Sequence, residues 1–208
     1  MYRKILTGIF ILIVIGVLGL VGFIAWVFSA FGGFDKDYSV TDLKENFEEN
    51  KTEIYELKGF FNEIVPENRF VEIEFEDDNT LSRFGIKALD STTGNPNDPM
   101  YLEWDLKTNT AKMDSLINPM GWTRETLRSL KEKLDKANCI KIESGDPTRI
   151  GFKRSGLGMY SFNVFERPVP ANMIENYNDS CRYIYVNRNL VLEYSGGAIG
   201  GQCFYNFK

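Results

Sequence analysis

Histidine is absent from this chain of 208 residues. That absence removes Ser-His and Cys-His nucleophile pairs, the HExxH zinc site and the histidine pH switch together. Any catalysis has to rest on carboxylates, lysine, tyrosine or a lone thiol. Cysteine is scarce as well, with only Cys139, Cys181 and Cys203. An odd count allows one bridge and leaves one thiol. Cys181 and Cys203 form the candidate disulfide, closing a loop of about 20 residues and contributing about 3 kcal/mol in the chain-entropy account. If their strands flank a third strand, the separation of about 10 Å is too great to bridge. Cys203 follows a glycine-rich loop, but no histidine stands by to activate it, so it reads as a structural thiol.

Positive charge is the next shortage, with 24 Lys and Arg against 29 acids. Arg3 and Lys4 precede an apolar run, which leaves 22 bases (24 less these two) to all 29 acids, a net −7 on residues 35–208. This balance argues against nucleic acid and against simple electrostatic docking on anionic lipid. It is unevenly spread: residues 35–78 hold 15 acids and 5 bases, whereas residues 79–208 hold 14 acids and 17 bases. The reading is a solvated acidic face partly neutralised by the basic half. Cofactor and metal signatures are missing too. Asp77, Asp78 and Asn79 lack the spaced pattern of a calcium loop, and Lys153 and Arg154 beside Gly156 and Gly158 lack the ordered spacing of a phosphate loop. No cofactor and no metal ligands are assigned.

Residues 5–31, ILTGIFILIVIGVLGLVGFIAWVFSAF, carry no charge. A hydrocarbon layer about 30 Å thick needs roughly 20 helical residues, and this run exceeds that with room for tilt. Tyr2 and Trp26 suit the two interfaces. Secretory signal cores run about 7 to 15 residues and end in a small-x-small cleavage site, a pattern residues 27–30 match poorly. The sequence therefore predicts an uncleaved, single-pass anchor. Arg3 and Lys4 keep the amino terminus cytoplasmic, and the remainder is placed in the periplasm or outside the cell. The domain reading is residues 1–34 as cytoplasmic tip and span, then residues 35–208 as one extracytoplasmic domain.

Beyond a short connector, Ser39 and Asp42 resemble a capping box, and Leu43, Phe47, Ile54, Leu57, Phe61 and Ile64 follow helical spacing. They predict one helix over 40–65, ended by Pro66. From Phe70 the period becomes two. Val71, Ile73 and Phe75 alternate with Glu72, Glu74 and Glu76, predicting a strand with one buried and one acidic face. A second strand over 82–89 makes a hairpin. Residues 91–100, STTGNPNDPM, read as loop. Strands follow over 101–106, with Leu102, Trp104 and Leu106 sharing a face, and over 111–113. Thr123 caps a helix to Ala137 whose Leu127, Leu130 and Leu134 are buried, with Asn138 as left-handed cap. Further strands are read over 139–143, 150–153, 158–166, 181–186, 190–194 and 202–207, with a turn at 154–156.

The architecture predicted is α+β: one transmembrane helix, then a mainly antiparallel sheet of about eight strands packed against two helices. The loop 195–201, SGGAIGG, permits positive φ and close backbone approach. Gly196, Gly197, Gly200, Gly201 and Gln202 are accordingly the candidate ligand- or partner-binding residues. The favoured function is a non-catalytic binding module, held near the outer membrane face and engaging a protein partner in the envelope. The alternative is a membrane-anchored hydrolase or transferase using paired carboxylates among Asp90, Asp98, Asp105 and Glu143. Non-reducing peptide mapping of the cell-derived protein is expected to show an intact Met1 or Tyr2 end together with a Cys181–Cys203 cross-link. A mature end near residue 30 contradicts the anchor.

Overall fold

Beyond the amino-terminal apolar run, periodicity changes three times, from helical to alternating, back to helical and to alternating again, and the elements follow it. The structure is a computed structural model describing residues 2–30, 35–89, 99–196 and 203–204. Helix α1, Tyr2–Ala30, is apolar on all sides and buries none of its most apolar window, Leu12–Ser29. Among the described residues it is the one helix long and apolar enough to cross a membrane.

The expected helix over 40–65 is two helices, α2 (Val40–Glu49) and α3 (Lys51–Ile64). Asn50 breaks them with φ −115° and ψ 25°, and its Nδ2 donates to Asn46 O at 2.9 Å. An amide that bonds the preceding turn competes with the helical path, so the break falls on asparagine. Ser39 and Asp42 do form a capping box at the start of α2, and this holds the Asp42 carboxyl below its ordinary value.

Eight antiparallel strands form one sheet in the order β3-β2-β1-β4-β5-β6-β8-β7. They are β1 Arg69–Asp77, β2 Thr80–Ala88, β3 Tyr101–Lys107, β4 Lys141–Glu143, β5 Thr148–Ser155, β6 Gly158–Val164, β7 Tyr183–Asn187 and β8 Leu190–Ser195. The expected strand at 111–113 is instead α4, Ala111–Ile117. Thr110 caps it, accepting from Met113 N at 3.2 Å, and the i,i+4 pair Met113 and Ile117 is fully buried. With α5, Arg124–Lys136, four helices and not two contribute to the layer on one face of the sheet. Leu43, Phe47, Ile54, Leu57 and Phe61 join Leu127, Leu130 and Leu134 against Val71, Ile73, Phe84, Ile142, Ile150, Phe162 and Leu192. Trp122 Nε1 donates to Ile64 O at 2.7 Å, fastening the loop before α5 to the end of α3.

Two further expectations change. Leu102, Trp104 and Leu106 do not share a face: Asp105 has φ 52°, and beyond it Leu106 turns into the core while Trp104 stays 55% exposed. The turn read at 154–156 lies one residue later, because β5 continues to Ser155 and pairs it with Gly158. Gly156 takes the left-handed conformation, φ 56°, that a two-residue hairpin requires. The strand over 202–207 falls largely outside the described residues.

Cys181 and Cys203 are disulfide-bonded, 22 residues apart in sequence. No third strand intervenes, because Cys181 leads into β7, Cys203 follows β8, and these two strands are neighbours. Phe204 N donates to Cys181 O at 3.0 Å and lays the returning chain alongside. Cys139 is a buried thiol whose pKa is pushed up to about 12 by burial, which makes it inert.

At Gly158 an added Cβ would stand 2.6 Å from the Tyr194 ring, whereas at Gly59 on α3 it would meet nothing within 4 Å. Gly158→Ala is expected to destabilise by about 1–3 kcal/mol through overpacking of β6 against β8. Gly59→Ala is expected to stabilise by about 0.4–1 kcal/mol by restricting the unfolded chain. Urea unfolding of the detergent-solubilised full chain checks both.

Candidate functional site

The sheet face away from the helices is lined with charge, and its carboxylates are buried beneath partly exposed arginines. Along β1 the residues alternating with Val71, Ile73 and Phe75 are Glu72 and Glu74, only 5% and 1% exposed. The acidic face expected to be solvated is therefore interior. Glu72 stands directly opposite Glu143 on β4, an arrangement that repels unless a cation intervenes. Lys141 supplies it, with Nζ at 2.5 Å from Glu72 and 2.7 Å from Glu143.

From there opposite charges alternate across the sheet. Arg83 Nε lies 3.0 Å from Glu72 on one side. On the other, Arg149 bridges Glu143 and Glu193, each at 3.4 Å. Arg182 then closes on Glu193 at 2.6 Å. Glu193, 1% exposed, also accepts from Asn163 Nδ2 at 3.0 Å and from the Tyr183 hydroxyl at 3.4 Å. Both ends of the ladder rest on rings, Arg83 over Trp104 and Arg182 over Tyr183. Alongside it, Arg154 grips Glu74 through two parallel bonds of 2.5 and 2.7 Å. Arg154 is thereby committed to an internal partner and does not serve an anion on the hairpin turn.

Titration follows these contacts. Burial pushes the Tyr183 phenol up, and the charge of Glu193 adds to it. Burial alone would lower Arg182, but its bond to Glu193 outweighs that and raises it. The hydrogen bond to Glu74 raises Arg154.

Over the ladder opens a cavity of about 190 Å³, lined among others by Glu143, Arg149, Asn163, Glu193, Tyr177 and Tyr183. A broader one of about 430 Å³ adjoins it through Phe70 and Ser144 and reaches Arg69, Asp146 and Arg167. Glu143 and Glu193 belong to strands three spacings apart, about 14 Å at the backbone, yet both side chains converge on the Arg149 guanidinium. The cavity thus offers acceptors, donors and phenol rings in fixed positions. Arg149 Nε and Ser161 Oγ, both buried atoms, make no aligned hydrogen bond among the described residues. Among the described residues no group of three or more Cys, Asp or Glu is placed to hold a metal ion.

Of the nominated carboxylates that lie among the described residues, Glu143 lines this cavity and Asp105 does not. Asp105 lies on β3 at the sheet edge, remote from Glu143, while Asp90 and Asp98 lie outside the described residues. In the glycine loop, Gly196 is buried just past β8, and Gly197, Gly200, Gly201 and Gln202 lie outside the described residues. Sequence reasoning passed over Glu193, Arg149 and Asn163. The signal for Glu193 was a single acid inside the apolar run Leu190, Val191, Leu192, Tyr194.

Removing one partner of a buried ion pair leaves the others uncompensated. Glu193→Gln, which keeps the shape and deletes the charge, is expected to cost about 3–5 kcal/mol in chemical unfolding. Arg128→Ala, which breaks a pair exposed on both sides, is expected to cost less than about 0.5 kcal/mol. Equal effects contradict the ladder.

Comparison of the chain with protein-family models, with curated proteins and with solved structures finds no match.

Proposed function

We propose that this chain is a membrane-anchored, non-catalytic binding module. Helix α1 tethers it, the domain stands on the extracytoplasmic side, and a polar envelope component is captured at the cavity over Glu143 and Glu193. The observation that carries the reading is the convergence of buried, alternating charges beneath one open cavity. Holding such groups away from water is costly, and it fixes donors and acceptors in advance of a ligand, which lowers the ordering cost of binding. Both carboxylates already serve cations: Glu143 serves Lys141 and Arg149, and Glu193 serves Arg149 and Arg182. That arrangement suits recognition better than a proton-shuttling pair. The placement outside the cytosol draws on Arg3 and Lys4 before the span and on the Cys181–Cys203 bridge, since such bridges persist in oxidising compartments.

A photo-crosslinking residue in place of Tyr177, at the cavity rim, is expected to give a discrete adduct in intact cells. That adduct should be lost when Arg149→Glu is added and retained when Arg128→Glu is added. The carboxylate hydrolase or transferase reading makes the opposite demand: turnover of a glycoside or ester that stops in Glu143→Gln or Glu193→Gln while the fold persists. Such turnover would overturn the binding-module assignment.

A further inference from the structure

Between Lys4 and Asp35 the chain has no charged residue, and the connector after α1 reads Phe-Gly-Gly-Phe. In the sequence Asp35, Lys36 and Asp37 are the first charges after the apolar run, and the first charges past a span belong at the level of the lipid headgroups. Even a fully extended connector lets Asp35 stand no more than about 18 Å from the end of α1.

The segment 35–38 is fastened to one place on the domain. Gly156 N donates to Asp35 Oδ2 at 2.9 Å, and Ser155 Oγ donates to Asp37 Oδ1 at 2.8 Å. Tyr38 packs edge-on against Phe152 and Tyr160, with ring centroids 5.1 and 5.5 Å away. These contacts all fall on the β5–β6 hairpin, at its tip or just behind it. The end of β8 lies beside that tip, because Ser195 pairs with Met159.

From these observations we propose that the β5–β6 hairpin tip and residues 35–38 sit in the phospholipid headgroup layer of the membrane that α1 spans. Lys36 and Lys153 face the lipid phosphates there. The two lysines lie along the rings of Tyr38 and Phe152, 4.8 and 5.7 Å from their centroids, and neither forms an ion pair among the described residues. Ammonium groups on flexible stems beside apolar rings match a phosphate layer over hydrocarbon. Asp35 and Asp37 are occupied by the hairpin. The tether supplies the proximity that a net-acidic domain would not gain by charge alone. Arg149 lies six residues back from Ser155 along β5, which sets the polar cavity about 20 Å from the hairpin tip along the strand.

This inference rests on α1 being the membrane anchor, and the test separates the two. Leu157→Cys at the hairpin tip and Arg167→Cys at the far end, where the arginine is 88% exposed, each receive a nitroxide in the full chain reconstituted into phosphatidylcholine–phosphatidylglycerol vesicles. Vesicle flotation is read first, and a chain that does not float overturns the anchor and the docking together. In floated protein the label at 157 is expected to lose most of its accessibility to an aqueous nickel relaxant, while the label at 167 keeps it. The double reversal Lys36→Glu with Lys153→Glu is expected to restore accessibility at 157 without loss of flotation. Equal accessibility at 157 and 167 in floated protein overturns the docking and leaves the anchor standing.

Discussion

Glu193 between Arg149 and Arg182, and Glu72 between Arg83 and Lys141, set the condition under which this sheet exists. One face has four helices to exclude water, as most sheets in α+β domains do. The other face is covered at its β7–β8 end by segment 165–178, whose short 3-10 turns bring Tyr177 onto Tyr183, and its carboxylates are almost as dry as the leucines opposite. Each carboxylate is neutralised by cations from neighbouring strands. Desolvating a lone carboxylate costs several kcal/mol, and only a partner on each side brings that back toward zero. The strands therefore have to be in register before the charges can be buried. Slipping one strand by a residue would send Glu72, Glu143 or Glu193 into the helical face. The ladder contributes more to uniqueness of register than to net stability.

That constraint also accounts for the uneven charge along the chain. Glu72 and Glu74 belong to the acidic first part, while Arg83, Lys141 and Arg154 belong to the basic remainder. A segregation that looks electrostatic along the sequence becomes local neutrality once β2, β4 and β5 are laid beside β1. The same antiparallel order gives the domain two unlike ends. The hairpin fastened to residues 35–38 occupies one, and the polar cavity occupies the other half of the same strands.

Several features were legible along the chain because they depend on local chemistry. The capping box at Ser39 and Asp42, the Thr123 cap, the left-handed Asn138 and the buried Leu127, Leu130 and Leu134 each follow from a few adjacent residues. The misread positions share another cause. At 111–117 the two apolar side chains four apart, behind a threonine cap, outweighed the strand reading of a short window. At Asp105 a positive φ broke an alternation that hydrophobicity alone implied. The site was less legible still, since Glu193, Arg149 and Asn163 acquire meaning only from partners on other strands.

By itself the sequence determined an apolar span ahead of a charged domain, the exclusion of histidine chemistry and the alternation that makes β1 a two-faced strand. Each of these is a property of composition or of neighbours within one or two turns. Tertiary structure alone decided that the acidic face of β1 is interior, that Cys181 and Cys203 meet, and that residues 35–38 clasp the β5–β6 hairpin. Those outcomes depend on strand order, and the order is selected by which distant charges and apolar faces can be satisfied together. No local window of the chain contains that information.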